Sequence, residues 1–301
     1  MIGSIMFHYF HDNKKYLKSQ GSLSAQDLEN IINHSSYKII SIDEWIEKYE
    51  SNSLSKDEVF LSFDDALKEQ LDIACPILDR YNLKALFAIN TKAILSNMDK
   101  LELYRHFRNN YFTDIDDFYN CFFNILASSP WAEIYKKSCQ KINFNQYLSK
   151  YDFYSYNDRK FRYLRDKLLK DEYDTVMDLL ILNSNLDPEK LHLWFTLDDI
   201  RYLTKNEHCL SLHTHTHPYN LDTLTFDNQY QELNINKTIL QDITNQSIYI
   251  ISYPCGRYNN DTINVLKDLN ILYGFISSPS TNTSQYSIGR IDCAIVLQAL
   301  K

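Results

Sequence analysis

The chain has 301 residues, 44% hydrophobic and 23% charged, with a formal charge of −8, which fits one large soluble α/β domain or one domain carrying a big insertion. The acidic balance excludes a general nucleic-acid binder, whose footprint is basic, and leaves room for a local basic groove around an anionic substrate. No basic leader precedes an apolar core at the N-terminus, and no apolar run approaches the roughly 18–20 residues of a membrane helix, so a cytoplasmic protein without a membrane span is expected.

In chain order, residues 2–8 read as a short buried strand ending in His8, with His11-Asp12 just beyond. Ser24 is a helix cap ahead of the apolar positions Leu28, Ile31 and Ile32. Residues 37–40 form a short strand, and Ser41 caps a helix containing Trp45 and Ile46. Residues 58–63 are an apolar strand that stops abruptly at Asp64-Asp65; a helix through Leu67, Leu71, Ala74 and Leu78 follows, then a strand over 84–89. This alternation predicts parallel βαβ units, in which residues at the carboxyl ends of strands build the site.

From 98 to 193 the segments are long, charged, aromatic and helical in spacing (101–110, 115–126, 131–141, 158–182), which predicts a helical insertion between two parts, 1–97 and 194–301, of one barrel domain. Thr196 then caps a helix over 195–203, and a strand over 209–212 leads into Ser-Leu-His-Thr-His-Thr-His-Pro (211–218). A polar-faced helix over 229–245, a β-rich run over 248–253 closed by Pro254-Cys255-Gly256, a helix over 262–269 and strands over 272–277 and 288–291 complete the chain. The six cysteines (Cys75, Cys121, Cys139, Cys209, Cys255, Cys293) have no C-x-x-C spacing and read as free, mostly buried thiols of a reducing compartment.

The chemistry concentrates in two stretches. His213 and His217 stand four apart, so on one turn of helix their imidazoles share a face and can converge on one ion. Two adjacent carboxylates at a strand end desolvate and repel each other unless a cation stands beside them. Two imidazoles and one carboxylate make a three-ligand set that leaves a position open, as catalytic zinc sites do, with the other carboxylate free to act as a base. His215 points away from its neighbours and reads as solvent-facing or as a supporting donor.

Three motifs carry a family resemblance. Ser-Phe-Asp-Asp-Ala (62–66), His-Thr-His-Thr-His-Pro (213–218) and Ser-Tyr-Pro-Cys-Gly (252–256) resemble, in order, motifs of the polysaccharide deacetylases, the chitooligosaccharide deacetylase-like family. The resemblance implies a distorted, incomplete (β/α)7 barrel and a metal-dependent hydrolase that removes an N-acyl group, usually acetyl, from an amino sugar. It implies Asp65, His213 and His217 as metal ligands, Asp64 as general base and the Cys255 backbone amide as oxyanion donor. The ion is by default zinc, with cobalt, nickel, iron or manganese as other divalent choices. Two departures stand out. Ser252 occupies the place of the family's base-orienting arginine, for which Arg290 is the substitute candidate. The Leu-x-His motif that supplies the general acid is missing near the C-terminus, and Met6-Phe7-His8 resembles it at the other end of the chain, with His11 in reserve. The expected partner is an N-acylated sugar or glycan precursor. An O-acyl esterase on the same metal site and a degenerate member that only binds glycan or protein are the rival readings.

Overall fold

The computed structural model describes residues 2–96, 98–149, 154–280 and 284–300; Asn97, at the edge of the expected insertion, lies outside them. They fall into two compact units, one of residues 1–99 with 192–301 and one of residues 100–191.

The first unit is built on eight parallel strands: β1 (Ile2–Phe7), β2 (Lys38–Ile39), β3 (Glu58–Phe63), β4 (Leu86–Ile89), β5 (Cys209–Leu212), β6 (Ile250–Ser252), β7 (Tyr273–Phe275) and β8 (Gly289–Asp292). Seven follow the order β7-β6-β5-β4-β3-β1-β8, and β2 lies beside β3. Hydrogen bonds from Ile276 N–H to Ile288 O and from Ile288 N–H to Gly274 O, both 2.9 Å, carry the ladder across the seam ahead of β8. The sheet therefore nearly closes on itself, with helices around it: a distorted (β/α)7 barrel.

A strand covered on both faces must be apolar throughout, and β3 is buried at every position. Val59, Leu61 and Phe63 pack with Leu28, Ile31, Ile77 and Leu78 of the surrounding helices. Phe60 takes the opposite face with Leu86, Ile250, Phe275 and Trp45. Trp45 meets Phe60 and Phe275 edge-on at 5.7 and 6.0 Å between centroids, filling that layer. The neighbouring polar layer is small: Ser4, Ser62, Ser211 and Ser252 are fully buried, with Ser4 Oγ 2.8 Å from Ser62 Oγ. A barrel this narrow is filled by side chains, and the room the serines leave is taken by the fully buried Arg290.

Because every pairing is parallel, the residues that follow the strands gather on one rim. His8 follows β1, Asp64 follows β3, His213 follows β5 and Tyr253 follows β6. Local differences from the sequence reading have plain causes. Leu67 bridges to Trp194 in an antiparallel contact, so the helix after Asp65 starts at Lys68 and runs into a π-helical turn, Gln70–Ala74. Only Cys75 and Cys293 are buried, while Cys121, Cys139 and Cys255 are exposed, the first two on outward faces of helices.

The second unit is helical, with no strand among its described residues. Phe118, Phe122 and Phe161 are fully buried, Phe161 lying 5.3 and 5.0 Å from the other two rings. The segment 158–182 is not one helix: helix Tyr156–Tyr163 widens into a π-helical turn, Leu164–Leu169, and the chain breaks at Lys170 (φ 49°) before helix Tyr173–Leu182. No helix among the described residues is long and apolar enough to cross a membrane.

One buried histidine outside the rim sets an acid limit on stability. His208, just before β5, accepts the Ala85 N–H at Nδ1 (3.2 Å), and its Nε2 has no partner among the described residues. Burial, helped by Lys84, pushes its pKa down to about 4 from 6.5. Between those values the unfolded chain binds more protons than the folded one, so the contribution is whole above pH 6.5 and is lost as pH falls toward 4. Its upper limit is about 3 kcal/mol. Urea unfolding at steps from pH 7 to 4 should show this fall, and His208→Asn, which keeps an acceptor but cannot titrate, should flatten it. Equal pH slopes in both chains would exclude His208 as the cause.

Candidate active site

Asp65, His213 and His217 converge. Asp65 Oδ1 lies 3.2 Å from His213 Nε2 and 3.3 Å from His217 Nε2, and one donor atom from each falls within 4.8 Å of the others. Ligands bound tetrahedrally at about 2.0–2.2 Å stand about 3.4 Å apart, a spacing that Asp65 Oδ1 already keeps from both imidazole nitrogens. His213 Nδ1 donates to Ser252 O at 2.7 Å, which turns the Nε2 lone pair toward Asp65. Burial pushes His217 down to about 4 against the pull of Asp65, which leaves it neutral, the ligating form. For His213 the same burial is outweighed by the Asp65 hydrogen bond and the charges of Asp64 and Asp65, so its pKa is raised. Burial also opposes ionisation of Asp65, but the His213 hydrogen bond first, and the surrounding imidazoles with it, hold its carboxyl below the ordinary range. A field that draws a proton onto His213 draws a metal cation to the same place.

The spacing of the histidines predicts a turn of helix, and the backbone is different. Residues 213–217 form an irregular loop in which Thr214 (φ 64°) and His217 (φ 57°) take left-handed conformations. Helix Phe226–Thr244 braces it. Asn236 Oδ1 accepts the His213 N–H (3.0 Å), and the Glu232 carboxylate accepts the N–H groups of His215 and Thr216 (3.0 and 2.8 Å). His215 is half-buried, with Nδ1 2.9 Å from Thr91 Oγ1. On the other ligand's side, Asp65 (φ 77°) and Ala66 (φ 53°) are consecutive left-handed residues, a strained turn that points the carboxylate back over the rim.

Asp64 faces the barrel axis, where Arg290 grips it in a fork: Nη1 to Oδ1 and Nη2 to Oδ2, both 2.7 Å. Arg290 also donates to Ile276 O (3.1 Å) and Ser62 Oγ (3.3 Å). Burial alone would raise the Asp64 pKa; Arg290 first, then His213 and His8, overcome it, and the carboxyl stays ionised below the usual range. His8 Nε2 is 3.9 Å from Asp64 Oδ2, with its side chain part-exposed. His11 turns elsewhere, its Nδ1 3.0 Å from Ser22 Oγ. Cys255 is left-handed (φ 53°) in the turn after β6, and Gly256 (φ 68°) follows. A Cβ at Gly256 would sit 2.4 Å from Ser277 Oγ, so space as well as φ demands glycine. The Cys255 thiol is pushed up by burial and the carboxylate charges, away from nucleophilic use.

Several supporting residues escaped sequence reading. Gln70 Nε2 donates to His8 O and Asp64 O (2.8 and 2.6 Å), tying two strand ends together. Asp99 Oδ2 lies 4.0 Å from His217 Nδ1. The one readable signal was polar residues on a buried helix stripe: Gln229 and Asn236, seven apart, are fully buried.

Residues 181–274 match the family model described as polysaccharide deacetylase, a stretch that contains the second and third motifs. No curated protein matches the chain. Among solved structures, the Streptococcus pyogenes deacetylase PplD in complex with acetate is 18% identical at a TM-score of 0.57, covering 100% of this chain and 98% of that one. The de-N-acetylase of Aggregatibacter actinomycetemcomitans is 14% identical at 0.57, covering 100% and 99%. IcaB of Ammonifex degensii is 11% identical at 0.58, covering 99% and 96%. At these identities the structural likeness speaks for the fold, and with the family match the resemblance read from the motifs holds.

Proposed function

We propose that the chain is a metal-dependent amidohydrolase removing an N-acyl group, acetyl first, from an amino sugar, a reading supported by the match of residues 181–274 to the polysaccharide deacetylase model. The observation that carries this is the meeting of two differently held carboxylates on one rim: Asp65 among two imidazoles, and Asp64 in the fork of Arg290.

Asp65, His213 and His217 would hold the ion, zinc by default, and when bound it lowers the pKa of a water and polarises the acyl carbonyl. Asp64 then accepts the proton as water attacks. Its depressed pKa makes it a weak base, and the Arg290 fork offsets this by holding the carboxylate ionised in one orientation. The Cys255 N–H, exposed by its left-handed turn, would donate to the oxyanion. His8, with Nε2 3.9 Å from Asp64 Oδ2, would give the proton to the leaving amine, and the tie between His11 and Ser22 favours His8 over His11 for this role. Acetate, with which PplD is in complex, is the product such a reaction releases. Six unpaired thiols, three of them exposed, suit a reducing cytoplasm and a glycan precursor there as substrate.

The test is release of acetate or formate from N-acylated sugars, free, nucleotide-linked and lipid-linked, by chain loaded in turn with zinc, cobalt, nickel, iron and manganese. Chelator-treated chain should be inactive and recover with metal, and Asp65→Asn should fail to recover. Metal-loaded chain that deacylates none of these, or esters in their place, would overturn the proposal.

A further inference from the structure

The second unit gathers three arginines, two of them without a carboxylate partner among the described residues. Arg108 lies on a π-helical turn, Phe107–Tyr111, and Arg162 and Arg165 stand three apart, hence on neighbouring positions of one helical face. Arg108 and Arg165 approach the same ring, Phe161, with guanidinium carbons 5.8 and 5.7 Å from its centroid. Arg162 lies 4.1 Å over Tyr154. Among the described residues only Arg165 has a carboxylate, that of Asp166, at 2.6 Å. Among them Arg108 makes a single hydrogen bond, 3.5 Å from Nε to the adjacent Asn109, and the Arg162 Nε is buried without a partner.

Three half-buried guanidinium groups held together in a chain of net charge −8 call for an explanation. Cation–π contact with Phe161 and Tyr154 holds these groups in place, and the N–H groups of Arg108 and Arg162, unlike those of Arg165, meet no carboxylate among the described residues. Burial pushes the Arg108 pKa down, and nearby Arg162 and Arg165 add to this against the help of Tyr173 and Tyr119. That like-charge repulsion is relieved by an anion with several acceptor oxygens, for which forked N–H edges are suited. We propose that Arg108, Arg162 and Arg165 form a binding site for a phosphoryl group within the second unit.

Calorimetry on the full chain, stripped of metal so that the trio takes no phosphate, tests this with inorganic phosphate and pyrophosphate at matched ionic strength. Saturable binding is expected, weakened at least about 10-fold by Arg108→Gln and by Arg162→Gln, since charged hydrogen bonds carry such factors. Should either variant fail to fold, the wild-type chain decides: phosphate, and not chloride, should protect Arg108 and Arg162 from phenylglyoxal in peptide mass maps. Glucuronate serves as the carboxylate control. No saturable phosphate binding, binding unchanged in both variants, no protection, or tighter binding of glucuronate would each overturn the assignment.

Discussion

Asp64→Asn is expected to lower turnover on an N-acylated sugar about 10²- to 10⁴-fold, the range of a lost general base, while the chain still binds one divalent ion. The two aspartates are adjacent, yet the structure separates their surroundings completely. Asp65 touches the imidazoles at 3.2 and 3.3 Å, whereas both oxygens of Asp64 are occupied by Arg290. Asparagine keeps the shape and one acceptor but cannot take a proton. Metal content by atomic absorption, read beside kcat, separates the roles: loss of metal in Asp64→Asn, with metal retained in Asp65→Asn, would reverse them. The variant also leaves the Arg290 guanidinium buried beside a neutral amide, so folded fraction has to be measured on the same sample.

Arg290→Met carries the second large effect, on stability as well as rate. Removing one member of a buried ion pair strands the other, and such breaks are destabilising by about 3–5 kcal/mol. Here the stranded group is Asp64, whose carboxyl is ionised because Arg290, with His213 and His8 behind it, overcomes burial. Without the arginine, burial dominates and the pKa rises. The wild-type pair stabilises the fold above the ordinary carboxylate pKa, and this is lost as pH falls through the lowered folded value; in Arg290→Met that dependence should shrink or invert. The acid limb of the pH–rate profile should move to higher pH for the same reason. Adding Asp64→Asn to Arg290→Met should recover much of the lost stability, the coupling a double-mutant cycle reads. Unfolding free energies within about 0.5 kcal/mol of wild type, the range of an ordinary surface change, would show that the fork contributes nothing.

The parts of this site that could be read in the sequence are those where a local rule is broken. Tandem aspartates ending an apolar strand, and three histidines in five residues, conflict with burial unless a cation is near. Their meeting follows from parallel strands, which turn sequence-distant strand ends into neighbours on a rim. The reading failed where the cause is tertiary. A helical turn for 213–217 was reasonable from spacing alone, but Glu232 and Asn236 satisfy its amides from another helix and release the loop into left-handed backbone at Thr214 and His217. Cysteine burial was misjudged because helix faces decide it, and Cys121 and Cys139 fall on the outer ones. In the second unit, periodicity marked helices correctly yet was blind to the break at Lys170 and to arginines meeting over a shared ring.

The fork on Asp64 joins residues 226 apart, whereas Asp65 and His213 are separated by 148. During synthesis Asp65, His213 and His217 have all emerged at residue 217, the groups that brace the histidine loop follow by residue 252, and the strand bearing Arg290 comes last, when the ring meets itself. On the proposed mechanism, the ligands would thus be in place before Asp64 has its counter-charge. The last strand would then be the one that readies Asp64 for its role.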